Sequence, residues 1–293
     1  MAMKMNTTDK TRLDPKWGES SPLHQPQILA NFKARIDDVL IATPPKAGTT
    51  WMQQILHQLK TGGDENFEDI DHVVPWLEIQ RRDKSWQDVL DEFEKIESPR
   101  IFKTHCTYEQ MPGVDTAKII LTTRDPRDCC LSFYHHLLDL TDYAIQLSGV
   151  ERPQSLDEYV NTWLEFAAWY RNIKSWWPHK DQSNILILRY EDLRKNFDYE
   201  IERILEFLGW SLNDSQCQQV NENCSFEWMK KNVQRFNRQG FSSSQSLFKP
   251  DGFVRKGAVG EGKQKLSADQ QQRILQKARE MLDVECLKFL EID

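Results

Sequence analysis

Thr43-Pro44-Pro45-Lys46-Ala47-Gly48-Thr49-Thr50-Trp51 decides how the rest of the chain is read. It follows the apolar run Val39 to Ala42 and opens a helix-like stretch, Thr50 to Lys60. A strand, a tight glycine-containing loop and a helix N-terminus present free backbone N–H groups, and the positive end of a dipole, to an anion. Lys46 adds a full charge, and the hydroxyls of Thr49 and Thr50 add donors. The lysine precedes the glycine, so this is not the G-x-x-x-x-G-K-[ST] loop. An anion-binding corner is expected here rather than a plain turn.

Three further apolar runs, Ile101-Phe102, Ile119 to Leu121 and Ile185 to Leu188, are rich in β-branched residues and lack polar alternation. Both traits suit parallel strands covered on both faces. Asp125 is a good N-cap before Pro126, which opens a helix to Leu140. Leu156 to Trp176 reads as one helix with Trp163, Phe166, Ala167 and Tyr170 on a stripe. Glu191 to Leu208 reads as another, carrying Ile201, Leu205 and Leu208 and stopped by Gly209. Alternation of strand and helix predicts an α/β fold, a central parallel β-sheet flanked by helices on both faces. Residues 1–28 read as an irregular N-terminal segment. Serines, Lys249-Pro250-Asp251-Gly252 and the glycines Gly257, Gly260 and Gly262 make residues 239–265 a long irregular loop, expected to be mobile. Ser267 then caps a last helix through about Leu282. Without repeats or an interdomain linker, 1–293 is expected to be a single domain.

Composition narrows the function classes. Of 293 residues, 39% are hydrophobic and 28% charged, a balance suited to a packed core and not to disorder. No stretch approaches the roughly 18 apolar residues of a membrane span. A net charge of −7 argues against a general nucleic-acid binder but leaves room for a local basic pocket. Met1 to Trp17 lacks the apolar core of a secretory signal, and cytoplasm is the expected location. The 6 cysteines include no C-x-x-C pair, and adjacent Cys129 and Cys130 are poorly placed to bridge, so reduced thiols are expected. There is no H-E-x-x-H, His135-His136 is a poor metal pair, and no metal is expected.

Other segments extend the loop into a set. Lys103-Thr104-His105 ends the second strand, and Arg124-Asp125-Pro126-Arg127-Asp128 runs on to Ser132-Phe133-Tyr134-His135. Tyr190-Glu191-Asp192-Leu193 follows the fourth strand, and Phe253-Val254-Arg255-Lys256-Gly257-Ala258-Val259-Gly260 lies near the end. In order and spacing this set resembles the cytosolic sulfotransferases, whose segments read PKSGTTW, K-T-H, R-[ND]-P-x-D…S-x-Y-H, Y-E-D-[LM] and F-x-R-K-G-x-x-G. The likeness covers roughly Leu29 to the C-terminus. It implies a fold related to the P-loop nucleotide triphosphatases and a donor, 3′-phosphoadenosine 5′-phosphosulfate (PAPS), that leaves as the 3′,5′-bisphosphate (PAP).

The resemblance also implies roles. Lys46, Ala47, Gly48, Thr49 and Thr50 would hold the phosphosulfate end. Arg124, Ser132, Arg255, Lys256 and Gly257 would hold the 3′-phosphate, and Trp51, Tyr190, Cys224 and Phe226 would surround the adenine. His105 would be the general base, Lys46 and Lys103 would offset charge in the transition state, and Ser132 would hold Lys46 aside until an acceptor arrives. Lys103 stands two positions before His105, on the same side of an extended chain. Each of these side chains alone would also fit a structural role.

Departures from the family pattern limit the carry-over. Ala47 stands for the usual serine, Cys224 for a threonine, and Gly260-Glu261-Gly262-Lys263 for G-D-W-K. The dimer segment K-x-x-x-T-V-x-x-x-E appears as Lys263 to Gln272 without its apolar and acidic anchors, so a monomer or weak homodimer is expected. A small-molecule acceptor would lie near His105, lined by Trp76, Phe133, Asp139 and Asp142. The two aspartates would favour a cationic or polyhydroxyl acceptor, or are a solvated helix end; sequence leaves this open, as it does transfer to oxygen or to nitrogen. A nucleotide kinase with a variant phosphate loop and a PAP-binding protein without turnover are the alternatives. The inverted Lys–Gly order counts against the first, and His105, which binding alone would not need, against the second.

Overall fold

The computed structural model describes residues 24–81, 83–237, 246–250 and 252–292. After helix α1 (Pro26–Asn31) the chain enters β1 (Val39–Ala42), the phosphate-loop segment and α2 (Thr49–Thr61). Helices α3 (Ile70–Val73) and α4 (Trp86–Lys95) lead to β2 (Ile101–Thr104), and β3 (Lys118–Thr123) to α5 (Pro126–Asp139) and α6 (Asp142–Ser148). Helices α7 (Leu156–Phe166) and α8 (Ala168–Trp176) precede β4 (Ile185–Arg189), which is followed by α9 (Tyr190–Lys195) and α10 (Phe197–Leu208). Helices α11 (Asp214–Asn223), α12 (Phe226–Lys231), α13 (Glu261–Lys265), α14 (Ala268–Met281) and α15 (Val284–Phe289) complete the described chain.

The strands form a 4-stranded parallel sheet in the order β2-β1-β3-β4. Side chains alternate across a strand, so successive residues enter different cores. Leu40, Ala42, Phe102, Ile119 and Leu121 pack with Trp163, Tyr170 and Ile274 on one face. Val39, Ile41, Ile101, Ile120 and Leu188 pack with Met52, Ile55, Ile201 and Ile204 on the other. The continuous apolar runs follow from that double burial. From β1 the sheet grows in both directions, to β2 and to β3. Ligands of open α/β sheets collect at the strand ends beside such a switch.

Several boundaries differ from the sequence reading. All four strands were recognised, but β2 extends through Lys103 and Thr104, which are buried. Leu156 to Trp176 is not one helix: Ala167 sits in the left-handed region at φ +49 and separates α7 from α8. The break leaves Phe166 39% exposed and turns Trp169, Tyr170, Ile173 and Trp176 inward. A strained residue costs on the order of 1–3 kcal/mol. Burying each large side chain returns about as much, so the four together outweigh it. Helical periodicity does not register a one-residue break at an alanine. The second long helix likewise divides at Asn196, although Gly209 stops it as expected. Residues 1–23 of the N-terminal segment lie outside the described residues, and Pro26 already starts a helix. Residues 239–245 and Asp251 of the long loop also lie outside them, and its end, Glu261–Lys265, is helical rather than irregular.

Helix α13 is held by a carboxylate from another helix. Asp128 of α5 accepts from Gly260 N at 2.8 Å and Gly262 N at 2.6 Å. A Cβ on Gly262 would lie 2.5 Å from the Arg127 carbonyl carbon, so backbone meets backbone and the aromatic of the family pattern has no room here. Gly262→Ala should therefore lower stability by about 1–3 kcal/mol, as overpacking does. Thermal denaturation of the ligand-free protein checks this, and an unchanged midpoint would refute the close approach.

Candidate active site

The corner after β1 is a tight turn between strand and helix that lines a cleft. Lys46 adopts φ +69 and Gly48 φ +96, two left-handed residues that turn the strand directly into α2. Gly48 is required: a Cβ there would lie 2.8 Å from the Tyr190 ring, and the backbone strains any other residue. The loop is tied to β3, where Thr122 Oγ1 donates to Ala47 O at 2.8 Å. Ala47 turns its methyl into the core, so of this loop Pro45, Lys46, Gly48, Thr49 and Thr50 line the cleft and Ala47 does not. Thr49 Oγ1 is buried without a partner.

A second basic cluster closes the far side. Arg124, directly after β3, donates to Lys46 O at 3.3 Å and to Ala258 O at 2.8 Å, and so joins the loop to the turn 255–258. Its Nε is buried without a partner. Tyr190 OH donates to Gly257 O at 3.0 Å, and the Arg124 guanidinium lies 4.6 Å from the Tyr190 ring centroid. Arg255 and Lys256 both bond to the Glu261 carboxylate. Trp51, Phe226 and Ser132 line the same cleft. Trp51 is fixed by its Nε1 donating to Cys224 O at 2.8 Å and by stacking on Phe197.

His105 stands between these clusters and an aromatic pocket. Its Nδ1 lies 2.6 Å from Thr43 O; a carbonyl only accepts, so Nδ1 carries the proton and Nε2 the lone pair. Its backbone N donates to the buried Glu78 at 3.0 Å. Burial first, and then the charges of Lys103 and Lys46, lower the His105 pKa to about 3. Lys46 is itself lowered to about 8 by burial and by Arg124. Lys103 pairs with the buried Asp71 at 3.4 Å and lies 4.8 Å from the Trp76 ring centroid. Trp76 and Phe133 line the cleft with His105, as the sequence suggested.

Not every candidate falls in place. The Lys46 ammonium donates to His136 Nδ1 at 3.1 Å, so in this state an imidazole, and not Ser132, holds it. The Cys224 side chain is buried and outside the cleft lining; only its carbonyl serves the site. Asp142 points to solvent and pairs with Arg152, and Asp139, at the end of α5, accepts from Lys249 N through its backbone; neither lines the cleft. Sequence reasoning assigned no role to His136, Asp128, Glu261 or Phe253. Asp128 and Glu261 lie within or beside the recognisable motifs, but only three-dimensional contact shows what their carboxylates hold. In sequence His136 stands out only beside His135 as a poor metal pair, and among the described residues no three His, Cys, Asp or Glu side chains gather to hold a metal.

A profile described as a sulfotransferase domain matches residues 36–283. Human sulfotransferase 1C2 is 30% identical over 271 residues, covering 89% of this chain and 88% of its own. The rabbit amine sulfotransferase is 30% identical over 274 residues, covering 89% and 86%. Among solved structures, mouse sulfotransferase SULT7A1 complexed with PAP superposes with a TM-score of 0.73 at 22% identity, over 92% of this chain and 98% of that one.

Histidines kept neutral, His57 buried and His105 and His136 half-buried, make stability depend on pH. His57 is lowered to about 4 by burial, His105 to about 3, and His136 also falls well below its ordinary value. The unfolded chain takes up these protons near pH 6.5 and the folded one does not. Stability is therefore full above about 6.5 and is lost as pH falls toward 4, by at most ~1.4 kcal/mol per pH unit for each histidine. The unfolding midpoint should drop between pH 7 and 5, and a flat profile would refute the burial of neutral imidazoles.

Proposed function

The chain belongs to the sulfotransferase family, and on that premise we propose that it moves the sulfuryl group of PAPS to a hydroxyl of a small acceptor. The observation that carries the reading is convergence: Lys46, Lys103 and His105 meet in one cleft that also holds Arg124, Arg255 and Lys256. The residues fit a doubly anionic nucleotide, since Thr49 Oγ1 and Arg124 Nε are buried donors still lacking partners. Bound there, the donor supplies an activated sulfuryl group whose bond to phosphate breaks as an acceptor oxygen bonds to sulfur.

The loop from Lys46 to Thr50, at the N-terminus of α2, would hold the phosphosulfate end. Arg124, Ser132 and the 255–257 turn would hold the 3′-phosphate, arginine matching its oxygens with a forked set of donors. Trp51, Tyr190 and Phe226 would flank the base. His105 would accept the acceptor's proton at Nε2, the nitrogen left basic by the bond to Thr43. Lys46 and Lys103 would offset negative charge on the leaving oxygen and the sulfuryl oxygens, so positive charge comes from the chain and a metal-independent reaction follows.

Aromatic residues Trp76, Phe133 and Phe253 suit a flat, apolar acceptor. Among the described lining residues the one carboxylate is Glu261, which is engaged by Arg255 and Lys256. Among the described residues lining the cleft, no carboxylate is free to pair with an ammonium acceptor, so transfer to oxygen is the reading adopted, and the cationic or polyhydroxyl preference considered for Asp139 and Asp142 loses its basis because neither lines the cleft. Leu266 and Gln270 of the degraded dimer segment are buried in the protein's own core, which supports a monomer or weak dimer. Unpaired cysteines and the absence, among described helices, of one long and apolar enough to cross a membrane support a cytoplasmic place.

Thermal stability with PAP, ATP and AMP, each with and without magnesium, tests the donor. PAP alone should raise the midpoint without magnesium, by the equivalent of about 2.7 kcal/mol at a hundredfold excess over Kd. A shift seen only with ATP and magnesium would replace this reading by that of a kinase. His105→Ala should lower kcat by about 10²–10⁴ and leave PAP affinity within about twofold. Loss of PAP binding would show that His105 belongs to the nucleotide site instead.

A further inference from the structure

The two cations at the far end of the cleft are already occupied by the chain itself. Arg255 Nη1 lies 3.1 Å from Glu261 Oε1, Arg255 Nη2 bonds to Oε2, and Lys256 Nζ lies 2.9 Å from Oε1. One carboxylate thus receives three charge-assisted bonds, including both arms of an arginine, which is how the same residues would take a phosphate. Glu261 lines the cleft beside them.

We propose that Glu261 is an internal counter-anion of the 3′-phosphate site, which a terminal phosphate monoester must displace to bind. The inference rests on the assignment of Arg255 and Lys256 to that phosphate. Glu261 is well suited to competing without collapsing the site. Its backbone is pinned on both sides by Asp128, which accepts from Gly260 N and Gly262 N, so the side chain can leave while the helix stays. The bonds from Arg255 and Lys256 hold its pKa down at about 2, so it remains an anion throughout the neutral range. Its single charge gives way to the two charges of a phosphate monoester, whereas a ligand with a single charge gains little by the exchange. The carboxylate therefore selects for a dianionic 3′ group, and its return assists release of the bisphosphate product.

The experiment measures Kd by calorimetry for PAP and for AMP with wild type, Glu261→Gln and Glu261→Ala. Ligand-free melting of each variant establishes that it folds. A site open only part of the time weakens apparent affinity by the open fraction, so neutralising the competitor should tighten PAP roughly tenfold in both variants. AMP, which has no 3′-phosphate, should change by less than about twofold. Slower PAP dissociation should accompany the tightening. Weaker PAP binding in both variants would overturn the proposal and make Glu261 a brace for Arg255 and Lys256. Unchanged PAP affinity would equally overturn it, whereas a wild type that does not prefer PAP to AMP would instead sink the assignment of the 3′-phosphate site on which it rests.

Discussion

The buried guanidinium of Arg124 is the contact on which the site depends. It reaches the Lys46 carbonyl after β1, the Ala258 carbonyl of the 255–258 turn and, at 3.4 Å, the Asp128 carboxylate of α5. A buried cation with too few acceptors is costly, so the three segments are drawn to it and held in one mutual position. Asp128 extends the same tie to α13 through Gly260 N and Gly262 N. Two basic clusters from distant parts of the sequence thereby acquire a fixed separation, which suits the proposed ligand with two anionic ends.

The cleft gathers Lys46, Lys103, Arg124, Arg255 and Lys256, and like charges at such density repel. The ligand-free chain answers each with an acceptor of its own: His136 for Lys46, Asp71 for Lys103, Asp128 for Arg124 and Glu261 for Arg255 and Lys256. These partners differ in kind. Asp71 and Asp128 are buried and structural, so they fix where a cation sits. His136 is neutral and Glu261 lies at the cleft wall, so they occupy cations that a ligand would claim. Preorganisation and reversible occupation are thus assigned to different residues.

How much of this the sequence revealed follows from what kind of signal each feature leaves. The sheet was legible because double burial writes short continuous runs such as Val39 to Ala42. The phosphate loop was legible because its function is local, formed by consecutive backbone donors around Lys46 and Gly48. The helix break at Ala167 was not, since alanine is a strong helix former, and at Asn196 the continuing periodicity masked a residue that favours turns. Asp142 was misplaced because a helix terminus near the site in sequence faces Arg152 and solvent in space. His136 and Glu261 act through residues 90 and 5–6 positions away, and no pattern of spacing tells a cleft partner from a surface charge.

A histidine lowered to about 3 is a poor base for a hydroxyl proton, and the cations beside it contribute to that depression. Burial is the larger cause and the charges of Lys103 and Lys46 the smaller, and only the smaller part would be offset by negative charge placed beside the same lysines. An anionic donor would therefore raise the basicity of Nε2 as it binds. With His105 as the proposed base, the acceptor hydroxyl would meet a stronger base when a sulfuryl group stands ready to be transferred. Such a coupling of the proposed chemistry to donor occupancy would act by charge and would need no movement of His105, because its ring is already oriented by Thr43 and its backbone by Glu78.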